Sequence, residues 1–576
     1  MTNNAGLFGG MPSSVGLLPK LTVLSFATTG LNGTLPDCFS NLTALQTLYL
    51  SSTTLTGVLP TTLGSATSLT TIAFDGTKLA GQIPLTWAAL TKLTFFSLSN
   101  MKQVVGPLSD IFGNMTVLNR LQLNAGTWSG TLPPSMAALS NLQYLDVSNS
   151  GFNQLISDVF GNMTQLNWLA INGNNWSGSL PPSFSALKGL TYLDASNAGF
   201  TQPIPNALGN WPLLTTLYLN GNSFGGTLPA GLINATGIRT LKAYSAGFNQ
   251  PLPNIFGGMT LLNYLSITLN NFTGTLPPSF SSLKGLTYLD VSNAGFTQPI
   301  PNALGNWPLL TTLYMGGNSF GGTLPAGLIN ATALGNFQAS GAGFTQPVPE
   351  IFGNMTKLAR LTISQNNFTG TLPLSLAAAV SLQNLDTGVG GFTQPIPEIF
   401  ANLTQLNWVS FILNKWTGTL PMSLASATQI QTLVANDAGL NQPIPEIFGG
   451  MTKLSFLNLG GNAFGGTLPK SLANATALTR LYAHVTGLNQ PLPDIFGGMT
   501  KLLGLYVYAN GFGGALPPSI MNATALTIIQ ASSNNFNGSL PSGWSNMQAL
   551  TFLDVSSNAF TGSVPASLLN LRLSTL

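Results

Sequence analysis

The chain has 576 residues, 5% of them charged, with a net charge of +3, a single cysteine and a single histidine. An ordinary soluble protein is roughly a quarter charged, and no basic cluster here offers the concentrated positive face that nucleic acid needs. No run reaches the roughly 18 apolar residues of a membrane span; Cys38 alone leaves no intrachain disulfide, and His484 alone leaves no Ser-His-Asp or Cys-His pairing and no His-based metal site.

The opening stretch, MTNNAGLFGG, has neither a charged nor an apolar segment and does not read as a signal peptide. From there the chain is one repeat. Taking an apolar-Pro step as offset 0, the step falls at Met11, Leu35, Leu59, Ile83, Leu132, Leu180, Ile204, Leu228 and onward to Val564, while Leu108 and Ile156 keep the phase with Ser in place of Pro. The spacing is 24 from Leu132 onward, with one extra residue between Ile83 and Leu108. About 24 units follow without a linker, so a single array over residues 1–576 is expected, with no recognisable terminal caps. Residues 197–218, NAGFTQPIPNALGNWPLLTTLY, return unchanged at 293–314.

Within a unit, apolar residues fall at offsets 4, 7, 10, 13, 15 and 20, as in Phe280, Leu283, Leu286, Leu289, Val291 and Phe296. The step from 13 to 15 is strand alternation, and 4, 7, 10 suit a short helical or 3-10 turn. Pro at offset 1 is expected to start that turn. An acid often follows it (Asp37, Asp110, Asp158, Glu350, Glu398, Glu446, Asp494), where it meets the positive end of the turn. Offset 20 is aromatic in nearly every unit from Trp128 to Phe560, which predicts a stacked spine. Offset 18 is Asn in every second unit (Asn174, Asn222, Asn270, Asn318, Asn366, Asn414, Asn462, Asn510), poised to satisfy loop backbone groups. The units between carry small residues there, such as Ala198, Ala246 and Ala294, so the true period is 48.

Segments such as LTTLYLNGNSFGGTLPAGL (214–232) and LTFLDVSSNAFTGSVPASL (550–568) resemble leucine-rich repeats, and the Gly-x-Leu-Pro ending is similar to the plant-type subclass. The resemblance implies an α/β repeat fold: a right-handed solenoid with a parallel β-sheet on the concave face and short helical or 3-10 turns on the convex face. At about 4.8 Å per strand the array would run roughly 115 Å, each unit burying the face of the next. Members of that family are mostly extracellular binding or structural modules: receptor ectodomains, inhibitors of wall-degrading enzymes, surface and wall proteins. A few resemble ice-binding proteins. Two departures stand out: Asn is absent from alternate units, and the paired-cysteine caps of many secreted members are missing.

Fourteen Asn-x-Ser/Thr sequons mark candidate glycosylation sites: Asn32, Asn41, Asn114, Asn162, Asn175, Asn234, Asn271, Asn330, Asn354, Asn367, Asn402, Asn474, Asn522 and Asn537. Sugar on an outward ridge would solubilise a chain with so little charge, and it places the protein outside the cell, secreted or at a surface or wall. Covalent N-glycans are the only attached groups expected; no cofactor and no metal is. The outward strand positions, offsets 12, 14 and 16, hold Tyr144, Trp168, Tyr192, Tyr218, Tyr264, Tyr288, Tyr314, Trp408, Phe456, Tyr482, Tyr506 and Tyr508, a surface suited to stacking on sugars or anchoring a peptide. Asp146, Asp194, Asp290, Asp386 and Asp554 share offset 14. Two of them on alternate strands would stand about 10 Å apart, near the spacing of an inverting glycosidase pair. With an open face and nothing to raise their pKa, no enzyme is expected.

Both ends cut through a strand, and an open edge recruits another strand. The leading expectation is therefore an extracellular N-glycosylated structural or adhesive scaffold whose copies join head to tail as a filament. The alternative is a ligand-binding ectodomain that recognises a peptide or wall polysaccharide. Ice binding ranks below both, because the Thr residues fall in no single outward column.

Overall fold

Each unit gives three residues to a strand, and the middle one points inward. Leu145 is buried between Tyr144 and Asp146, Leu193 between Tyr192 and Asp194, and Leu361 between Arg360 and Thr362. The computed structural model describes residues 2–575, and these form two units, 2–286 and 287–575. In the first unit eleven such strands, from Val23–Ser25 to Tyr264–Ser266, pair in parallel, residue against residue 24 later, as Tyr144 with Trp168 and Trp168 with Tyr192. The one longer step, Phe95 to Arg120, absorbs the extra residue. In the second unit twelve strands, from Tyr288–Asp290 to Phe552–Asp554, repeat the pattern. Parallel neighbours need a crossover, and the rest of each repeat supplies it.

Every helix among the described residues is a 3-10 turn. In most of the Gly-x-Leu-Pro units the turn has five residues and the proline stands just before it, one position earlier than the sequence reading placed the start. Pro229 (φ −69°, ψ 138°) precedes Ala230–Asn234, and its carbonyl accepts the Leu232 N–H at 3.2 Å. In most of the alternate units the turn shrinks to three residues, as in Phe256–Gly258 and Phe352–Asn354, and in the Ile204 and Ile300 units no 3-10 turn forms. So short a crossover favours i→i+3 bonding over an α-helix.

The offset-2 acids do cap turns, but those of the following unit rather than their own. Asp110 accepts the Ser135 N–H at 2.9 Å and Asp158 the Ser183 N–H at 2.9 Å. Glu350 takes both Leu374 and Ser375 N–H groups, at 3.0 and 2.7 Å, and Glu398 and Glu446 repeat this one and two pairs on. Partial burial by itself raises these carboxyls; the hydrogen bonds outweigh it and hold Asp37, Glu350, Glu398 and Glu446 below their ordinary values.

Inside, Phe184, Leu187, Leu190, Leu193, Ala195 and Phe200 of one repeat are all fully buried. The offset-20 rings stack as expected. Phe200–Phe224, Phe224–Phe248 and Phe248–Phe272 have centroids 5.6, 5.9 and 5.7 Å apart, and in the second unit Phe344–Phe368 and Phe392–Trp416 stand at 5.8 and 4.6 Å.

The buried Asn ladder explains the 48-residue period. Asn222 donates from Nδ2 to the Ala195 and Leu219 carbonyls, both at 2.8 Å, and accepts at Oδ1 from the Ala198 and Phe200 N–H groups, both at 3.1 Å. One amide thus satisfies its own repeat and the one before. At the next junction the Phe224 N–H reaches the Ala246 carbonyl directly, at 2.9 Å, and no Asn is needed. The alternation breaks at both extremes. Thr29 and Thr53 take the position and donate to the Phe26 and Leu50 carbonyls, whereas Asn534 and Asn558 follow Asn510 in consecutive units, each donating to the equivalent carbonyls.

Candidate ligand-binding face

The outward strand residues form columns one strand apart. In the first unit, offset 12 runs Arg120, Tyr144, Trp168, Tyr192 in strict register. The Arg120 guanidinium lies 3.9 Å from the Tyr144 ring centre; Tyr144 and Trp168 stack at 5.6 Å, and Trp168 and Tyr192 at 3.6 Å with planes 4° apart. Tyr218 meets Tyr192 edge-on at 5.8 Å, and the Lys242 ammonium sits over Tyr218 at 4.6 Å and Tyr264 at 5.6 Å. The five aromatics expected in this unit are therefore gathered into one half-buried strip, with a cation near each end. The cations were missed in the sequence, although they occupy the same two outward offsets as the rings.

This geometry changes what the strip can hold. A sugar ring stacks on the face of an aromatic, but here the facing rings cover one another, and what remains outward is edges, hydroxyls and charges. The strip offers polar tips on a rigid apolar base, the chemistry of a peptide contact more than of a stacked pyranose.

Burial first, and then the neighbouring carboxylate Asp146 or Asp194, pushes the Tyr144, Tyr192 and Tyr218 hydroxyls above their ordinary value, so all three are neutral donors at neutral pH. The offset-14 acids are not as plainly solvated as the sequence implied. Burial raises the Asp194 and Asp290 carboxyls, although Ser196 and Ser292 each donate a backbone N–H and a hydroxyl to them. Each carboxylate is engaged by the serine two residues on, which orients it along its own strand end.

In the second unit the predicted residues separate into three groups. Tyr288 and Tyr314 meet edge-on at 5.9 Å. Trp408 stands apart, with no ring against it among the described residues. Phe456, Tyr482 and Tyr506 cluster, Tyr482 on Tyr506 at 4.3 Å, and Tyr508 stacks on His484 at 4.8 Å. Gly460 and Gly504 make room for this cluster: a Cβ at either would stand 2.6 Å from the His484 ring or 2.8 Å from the Tyr506 ring. Burial lowers the His484 pKa, against the opposing pull of Asp437.

All fourteen sequon asparagines are exposed. Eight of them, Asn114, Asn162, Asn234, Asn330, Asn354, Asn402, Asn474 and Asn522, are the last residue of a 3-10 turn, away from the strand columns. Where Nδ2 is engaged, as from Asn162 to the Ala137 carbonyl at 3.2 Å, it uses one N–H, and a glycosylated amide keeps one.

Sequence models described as leucine-rich repeat match residues 140–200, and also 44–66, 213–235, 261–283, 285–307, 453–475 and 549–571. The chain is a leucine-rich-repeat protein. The matches fall in phase with the strands and turns of both units. This leucine-rich-repeat protein matches no curated protein by sequence. Among solved structures it is similar to the plant peptide hormone receptor RGFR1 in complex with RGF2, at 25% identity over 100% of this chain and 94% of that one, with a TM-score of 0.79. A TDR receptor is similar at 25% identity, covering 99% of this chain and 96% of that one with a TM-score of 0.74, and the PEPR1-AtPEP1 structure at 27% identity, covering 99% and 86% with a TM-score of 0.61. No helix of the leucine-rich-repeat protein is long and apolar enough to cross a membrane among the described residues.

Proposed function

We propose that this protein is an extracellular ligand-binding leucine-rich-repeat ectodomain, and that its strand face, centred in the first unit on Arg120, Tyr144, Trp168 and Tyr192, takes a peptide. The similarity to a plant peptide hormone receptor, RGFR1 in complex with RGF2, supports this reading. The observation that carries it lies in this chain. After the two identical segments the core stays apolar, Leu241 and Leu265 against Phe337 and Leu361, but the outward face diverges, Thr240, Lys242 and Tyr264 against Asn336, Gln338 and Arg360. A uniform scaffold or filament needs the same face in every copy; a selective binder needs a different one. That difference favours ligand binding over the scaffold expected from repetition alone.

The exposed sequons support N-glycans on the turn side, which would leave the strand face bare. Selection of a displayed random peptide library on the whole chain tests the main reading: enriched peptides should bind at least about tenfold more weakly to Trp168→Ala and to Arg120→Ala. No enrichment, or binding indifferent to both changes, overturns it. Glycopeptide mass spectrometry on protein secreted from a eukaryotic cell tests the coat, and unmodified asparagines throughout would refute it.

A further inference from the structure

In the second unit the strand face holds a hollow of about 280 Å³ lined by Gln338, Arg360, Thr362, Asn384, Asp386 and Trp408. Four successive strands supply these residues, with Arg360 opposite Asn384, Thr362 opposite Asp386, and Asn384 opposite Trp408. Arg360 and Asp386 sit on adjacent strands yet form no ion pair among the described residues. The guanidinium, the Thr362 hydroxyl and the Asn384 amide make no hydrogen bond there either. Asp386 accepts the Gly388 N–H with Oδ1 at 3.0 Å and keeps Oδ2 open; Gln338 donates Nε2 to Asn336 at 3.3 Å and keeps Oε1 open. Donors and acceptors of both signs are therefore free side by side, flanked by an indole that no other ring covers.

We infer that this hollow is a subsite for a neutral saccharide, separate from the strip in the first unit. An anionic ligand would meet Asp386, and a cationic one Arg360. An apolar ligand would desolvate five polar side chains without replacing their hydrogen bonds. A sugar hydroxyl both donates and accepts: it donates to Asp386 Oδ2 and Gln338 Oε1, and it accepts from the Arg360 and Asn384 N–H groups. The carbon-bound hydrogens of a pyranose face pack against Trp408. The first-unit strip lacks this combination, because its ring faces are covered and its cations lie on rings. A site built to bond hydroxyls discriminates against ligands lacking them. The inference needs an accessible strand face, but not the peptide.

The test is calorimetric titration of the whole chain with cellohexaose, xylohexaose, mannohexaose and, as a charged comparator, hexagalacturonate. One neutral hexasaccharide should bind, and Trp408→Ala and Asp386→Asn should each weaken it about tenfold or more, while Trp168→Ala leaves it within about twofold. Arg360→Gln, at an exposed position, serves if Trp408→Ala disturbs folding by circular dichroism. No binding by any neutral hexasaccharide at about 10 mM overturns the inference, as does binding indifferent to these variants or tighter binding of hexagalacturonate. Loss of peptide binding in Trp168→Ala with saccharide binding intact separates the two sites.

Discussion

Replacing Asn222 by Ala removes an amide that holds four backbone groups in two repeats. The Ala195 and Leu219 carbonyls lose donors at 2.8 Å, and the Ala198 and Phe200 N–H groups lose an acceptor at 3.1 Å. Ala198 and Phe200 are fully buried, so water cannot reach these groups without opening the coil. Four bonds at about 1 kcal/mol net each give a loss of about 4 kcal/mol, roughly 2–6 across the usual range. A repeat array senses such damage locally and does not unfold as two states, so a melting temperature is the wrong reading. Amide hydrogen exchange is the right one: peptides covering 195–200 should exchange about a thousandfold faster while distant repeats stay protected. Asn249→Ala is the control, since its side chain is exposed and accepts one bond, from the Gly226 N–H at 2.8 Å. It should cost about 1 kcal/mol or less. If exchange at 195–200 rises less than about tenfold in Asn222→Ala, the ladder is not what holds adjacent loops together.

Three further changes probe other parts. Phe248→Ala removes a fully buried ring stacked between Phe224 and Phe272 and should cost about 3–5 kcal/mol; a local exchange change worth less than about 1 kcal/mol would show the spine to be filler. Val485 holds a β-branched side chain at φ 53°, half exposed, where left-handed backbone favours Asn. Val485→Asn should stabilise its loop by about 1 kcal/mol, read as slower exchange, and faster exchange would refute the strain. Asp194 has a carboxyl raised by burial from 3.8, so its favourable contribution is complete below that value and is lost as pH rises through the folded pKa. Asp194→Asn should therefore protect the amides around 192–196 better than the native protein does at neutral pH, with the advantage fading toward pH 3.8 when hydrogen exchange of the two is compared at each pH; an advantage independent of pH would refute this.

The period, inward offsets, aromatic spine and Asn ladder were all legible, because each is a property of one unit repeated in phase. What was not legible depends on the neighbour. Nothing in the position of Asp110 says that its partner is Ser135, 25 residues on, because the turn it caps becomes adjacent only once the units stack. The same is true of the strip: Tyr144, Trp168 and Tyr192 were found as outward aromatics, but whether rings show faces or edges is decided by the gap between strands. Trp408 shares their column yet has Asn384 and Thr432 beside it, and so stands uncovered. Arg360 went unmarked, and Asp386 was read only as one of the offset-14 acids, because each unit alone shows one ordinary surface charge.

The shared amide also limits how such a chain can grow. Because Asn414 serves the Thr387 carbonyl at 3.0 Å and the Gly390 N–H at 2.9 Å in the preceding repeat, as well as its own Phe411 carbonyl at 2.9 Å, a small-residue unit must be followed by a unit that carries Asn or, as Ser150 does after Gly126, a hydroxyl that donates to the preceding repeat. Two Asn units in succession are tolerated, as Asn510 and Asn534 show. Copying in even blocks preserves the rule, and the identical segments starting at 197 and 293 lie 96 residues apart, four units of 24. Deleting 403–426 would place Gly390 next to Ala438 and leave the Thr387 carbonyl and the Gly390 and Phe392 N–H groups without their partner. Deleting 427–450, of the same length, would place Asn414 next to Asn462 and leave no carbonyl of the ladder unserved. Both deletions keep the 24-residue phase and remove one strand, one turn and one acid cap. The first should speed exchange at 387–392 by about a hundredfold or more relative to the second, three buried groups at about 1–3 kcal/mol each. Equal exchange in the two proteins would mean that the 48-residue period is an accident of duplication and not a requirement of hydrogen bonding.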